Sequence, residues 1–77
     1  MLKNPTDIKA FGTHLRKLRE GKDLSQQQLA DVADVAKITI QRIENAKYTA
    51  TLDVLISIAK ALRIPLSELV SYKNKKS

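Results

Sequence analysis

Five residues between positions 37 and 45 carry side chains suited to one kind of chemistry. At 3.6 residues per turn, Ile38, Gln41, Arg42 and Asn45 fall opposite Ile40 and Ile43 on a helix, with Lys37 at the flank near its start. Arg and Lys can donate to the acceptors of guanine, Gln and Asn can pair both ways with adenine, and a bare methyl surface can meet the thymine methyl. With many donors and few carboxylates, such a face suits the major groove of a duplex. Ile38 is the unusual member. A β-branched hydrophobe beside Lys37 and Arg42 fits a thymine methyl, a contact between two copies of the chain, or an ordinary surface position.

Gln26 stands at the first turn of a preceding short helix, where backbone N–H groups lack partners and the helix dipole favours an anion. A phosphate or a base edge is its expected contact, whereas Gln28 is better spent on capping. Two charges lie on apolar stripes: Arg19 is four residues after Leu15, and Glu44 is four after Ile40. Either would be costly to bury alone, so they are expected to pair with each other. Catalysis has little to work with. His14 is the only histidine and sits among Arg16, Lys17 and Arg19, there is no cysteine, and Ser25 has no base beside it; a solvated histidine, no metal site and no cofactor are expected.

The elements that must position these groups are all helical. Thr6 or Asp7 can cap a first helix with the stripe Ile8, Phe11, Leu15 and Leu18, ending near Gly21. Ser25 and Gln28 form a capping box ahead of Leu29, Ala30, Val32 and Ala33. The pattern breaks at Asp34, which tolerates a left-handed turn. A third helix follows over roughly 36–45, with Ala36, Ile40 and Ile43 inward. Thr51 caps a fourth to about Leu62, whose stripe of Leu52, Leu55, Ile56, Ala59 and Leu62 is widened by Val54 and Ile58, a pattern that suggests burial on several sides. Pro65 starts a last short helix. Its apolar residues Leu66, Leu69 and Val70, with Tyr72, are candidates for a dimer contact, though Leu66 and Leu69 could equally close the core.

Seventy-seven residues allow one domain: an extension over 1–6, a folded unit over 7–71, and a basic tail over 72–77 expected to fray. The net charge of +6 favours a polyanionic partner, but the surplus is divided between residues 1–23 and 73–77 and the middle is balanced. No apolar run nears the roughly 18 residues of a membrane span, and MLKNPTD lacks the apolar centre of a signal peptide. A cytoplasmic location without membrane contact is expected.

Leu24-Ser25-Gln26-Gln27-Gln28-Leu29-Ala30, followed by Ile40-Gln41-Arg42-Ile43-Glu44-Asn45 and then by Leu52 to Leu62, resembles the Cro/Xre-type, lambda-repressor-like helix-turn-helix family from about Phe11 to Val70. That resemblance implies an all-α, compact five-helix domain that binds double-stranded DNA as a symmetric homodimer and regulates transcription as a repressor or controller. Carried over by position, Gln26 would touch phosphate and a base, while Lys37, Ile38, Gln41 and Arg42 would face base edges. Asn45, Lys47, Tyr48 and Thr51 would hold the DNA backbone, and Arg19 and Glu44 would form an internal ion pair. This chain departs from the family in having Asp34 and Ala46 where glycine is usual, no proline near Thr49 or Ala50, and Ile38 in place of a small or polar residue. The rival reading is a protein-interaction module, such as an antitoxin, that uses this fold to hold a protein partner.

Overall fold

The computed structural model describes residues 5–47 and 50–72. Five α-helices account for most of them: α1 (Pro5–Gly21), α2 (Gln26–Ala33), α3 (Lys37–Glu44), α4 (Leu52–Leu62) and α5 (Leu66–Leu69). α1 begins at Pro5, ahead of the expected caps Thr6 and Asp7, because proline has no N–H to leave unpaired in a first turn and its φ already suits a helix. Ser25 caps α2 through the expected box: its Oγ accepts from Gln28 N at 3.0 Å, and its own N–H donates to Gln28 Oε1 at 2.8 Å. Thr51 Oγ1 likewise accepts from Val54 N at the start of α4. α3 and α5 start at Ala36 and Pro65 without a side-chain cap.

α1, α2, α3 and α4 share one way of stopping. A residue one or two positions past each takes a left-handed conformation, with φ of 59° at Asp23, 59° at Asp34, 60° at Ala46 and 59° at Arg63. The next N–H in each case reaches back five residues: Leu24 to Arg19 O, Val35 to Ala30 O, Lys47 to Arg42 O and Ile64 to Ala59 O. These are Schellman turns, and they normally place glycine at the left-handed position because a Cβ there crowds the backbone. α1 ends at Gly21 as its pattern predicts, yet the left-handed residue is Asp23. Here none of the four is glycine.

The core joins Phe11 and Leu15 of α1, Leu29, Ala30 and Ala33 of α2, Ile40 and Ile43 of α3, Leu55, Ile58, Ala59 and Leu62 of α4, and Leu69 of α5. α3 packs against α1 and α2, and α4 packs against α2 and α5. Three expectations need correction. Ala36 is exposed, because it is the N-cap of α3 and precedes the face that turns inward. Leu52 and Ile56 are 51% and 37% exposed, so the wide stripe of α4 is covered on one side only. Leu69 is fully buried in the chain's own core and is unavailable to a partner, while Leu66 is partly covered and Val70 stays open. Tyr72 packs edge-on to Phe11 at 6.2 Å between ring centroids.

Candidate nucleic-acid interface

Glu44 fixes the geometry of α3. It ends the inward row begun by Ile40, and its carboxylate side chain has no exposed surface. Arg19 reaches it from α1 as a two-pronged fork, Nε to Oε2 at 2.7 Å and Nη2 to Oε1 at 3.0 Å, and sends Nη1 to Leu24 O at 2.8 Å. Gln26 Nε2 donates to the same Oε1 at 3.0 Å, and Arg16 Nε lies 3.4 Å from it. One carboxylate thus ties the end of α3 to the last turns of α1 and the first turn of α2. Burial pushes the Glu44 carboxyl up, but the hydrogen bonds from Arg19 and Gln26, the Arg19 charge and the Arg16 contact together hold it below the usual carboxylate range. The bond to Glu44 raises Arg19 in turn, against the opposing effect of burial.

Gly12 is the reason α1 and α3 can approach so closely. A Cβ on Gly12 would stand 2.5 Å from Ile43 O and 2.9 Å from Glu44 O, both backbone atoms that cannot swing away. The residue lies on the Phe11–Leu15 stripe, and a glycine inside a helical stripe is itself a signal of close backbone approach. Sequence reasoning passed over it.

With its inner edge held, α3 turns Lys37, Ile38, Arg42 and Asn45 to solvent, and Gln41 lies half-covered at the side. These are the residues that the helical spacing brings together. Gln26 is adjacent through Glu44 rather than free: one of its amide hydrogens is committed, and the second and the amide oxygen remain. Gln27 donates to Asp31 and Gln28 serves the cap, so the three glutamines have three different tasks. Lys47 and Thr51 are exposed on the segment leading to α4, although the Thr51 oxygen also caps that helix. Tyr48 lies outside the described residues.

Arg16 was missed by sequence reasoning. Its side chain is 46% exposed, it touches Glu44, and its Nη2 lies 3.4 Å from Asn45 Oδ1, which puts a cation at the same edge as Gln26 and Asn45. Its position three residues before Arg19 was the available clue. His14 keeps contact with solvent, and its ring Nε2 also donates to Glu68 O at 3.0 Å in an exposed hydrogen bond that links α1 to α5. Nothing in the sequence pairs residues 54 positions apart. Among the described residues no group of His, Cys, Asp and Glu could hold a metal ion, and no helix is long and apolar enough to cross a membrane.

Comparison with known proteins agrees with this geometry. A helix-turn-helix family pattern matches residues 15–69. The control protein C.MunI of a Mycoplasma species is 45% identical over 67 residues, spanning 84% of this chain and 90% of that protein. The HTH-type transcriptional repressor RghR of Bacillus subtilis is 39% identical over 64 residues, or 82% of this chain, but the match spans only 47% of RghR. Among solved structures, the restriction-modification controller protein C.AhdI from Aeromonas hydrophila superposes with a TM-score of 0.81 at 33% identity, over 83% of this chain and 97% of that one.

Proposed function

This chain belongs to the helix-turn-helix family, and from that premise we propose that it binds a specific duplex sequence as a homodimer of the controller type, with α3 in the major groove. It is a DNA-binding transcriptional regulator of that family. The observation that carries the reading of α3 is its two-sidedness. Its inner edge is pinned through Glu44, while Lys37, Ile38 and Arg42 face outward, with Gln41 half-covered beside them, and carry the chemistry of base-edge recognition. Arg16, Gln26, Asn45, Lys47 and Thr51 surround them as phosphate contacts, with Tyr48 as a further candidate. Similarity to controller proteins over most of their lengths supports the controller reading, and its place of action is the cytoplasm.

The homodimer is supported by apolar surface that one copy leaves open. Leu52 and Ile56 on α4 and Val70 after α5 are exposed at 51%, 37% and 40%. In a homodimer that covers them with the same surface of a second copy, the two half-sites are expected about one helical turn, or about 34 Å, apart. The test is selection of bound sequences from random duplex DNA at two salt concentrations. An inverted repeat is expected, with affinity falling by a log–log slope of about −0.9 for each phosphate neutralised. Absence of any enriched sequence would refute the reading.

A further inference from the structure

Ile38, Arg42 and Asn45 stand at i, i+4 and i+7, in one row down the middle of the outer face of α3, and all three are exposed. Ile38 is the second residue of the helix and keeps 49% of its surface open. Two occupants could cover it: another copy of the chain, or a base. The neighbours decide between them. Lys37 precedes it and Arg42 follows one turn on, so self-association through this face would bring like charges together across a two-fold axis. Both cations instead suit a polyanion. The open apolar surface that suits a second copy, Leu52 and Ile56, lies on a different helix.

On the major-groove edges of base pairs the apolar group is the C5-methyl of thymine. We propose that Ile38 reads a thymine methyl and that Arg42 reads a guanine one to two base steps from it. The spacing comes from the row itself: four residues of helix rise about 6 Å, and a base step is about 3.4 Å. This rests on the groove reading above and adds to it a concrete demand on the DNA, a thymine and a guanine close together in each half-site.

The test uses the full chain and the duplex obtained by selection, with each thymine replaced in turn by deoxyuridine. That change removes the methyl and leaves every hydrogen-bonding group in place. One replacement near the Arg42 guanine should weaken binding about fourfold, the worth of burying one methyl group. Ile38→Ala should bind the thymine and uracil forms equally, and Ile38→Val should keep part of the difference; melting of each variant checks that it is folded. Arg42→Ala should lose the guanine preference and keep the methyl effect. If the selected duplex binds but no uracil replacement matters, or if the methyl effect survives in Ile38→Ala, the proposal is overturned while groove binding stands. If no duplex is selected at all, both fall.

Discussion

Around Glu44 the molecule is finished, and along α4 and α5 it is not. In the first region, three side chains from two helices converge on a buried carboxylate of a third, and both of its oxygens have donors. In the second, Leu52, Ile56 and Val70 face water. The contrast follows from the different costs involved. A buried charge without partners costs several kcal/mol, so its partners must come from the same chain that buries it. An apolar side chain left in water forgoes only about 25 cal/mol per Å², which a second copy can supply later. Closed polar networks and open apolar faces therefore mark which surfaces a chain completes alone.

The sharpest way to break this comparison is at Glu44. Glu44→Gln leaves Arg19 buried without its anion and should cost about 3–5 kcal/mol in chemical denaturation. Arg19→Met with Glu44→Leu should cost much less, because no charge is stranded. The same group sets an acid limb. Glu44 is held below its ordinary value of 4.5, so its contribution is whole above that pH and disappears as pH falls through the lower folded value. Glu44→Gln should flatten that limb, and acid titration of both proteins checks it.

Gly12→Ala comes next. Pushing a Cβ into Ile43 O and Glu44 O should cost about 1–3 kcal/mol in spite of alanine's better helix propensity. In the open region, Ile56→Asp should leave the melting of the isolated chain nearly unchanged but shift sedimentation to a monomer. It should weaken operator binding at least about tenfold, a difference of about 1.4 kcal/mol. A monomeric wild type at micromolar concentration would remove the basis for treating the α4 face as unfinished. The smallest expected effect is stabilising: Ala46→Gly relieves a left-handed alanine and should raise stability by about 1 kcal/mol.

What could be read from the sequence was local or periodic. Ser25 with Gln28, Asp34 and Thr51 announce their turns and caps within three or four residues. Arg19 and Glu44 stand out because each is a charge in an apolar row. Other features depend on how helices cross. Gly12 matters because α3 ends above it, Arg16 because Asn45 arrives beside it, and His14 because Glu68 folds back onto α1. Periodicity also cannot distinguish a core face from an exposed apolar one, which is why Leu52 and Ile56 look internal in the pattern of α4. Arg63 gives no local sign of a left-handed residue; the turn is imposed by Ile64 and Leu69 seeking the core.

The four glycine-free turns bear on how fast the chain folds. Three of them lie in short connections, joining α1 to α2, α2 to α3 and α4 to α5 through 22–25, 34–36 and 63–65. Short closures remove little chain entropy before the first packing contacts form, and helical domains with such local contacts fold in roughly microseconds to milliseconds. For a regulator acting as the proposed homodimer, newly made chains would then be limited by how often two copies meet, not by how long each takes to fold.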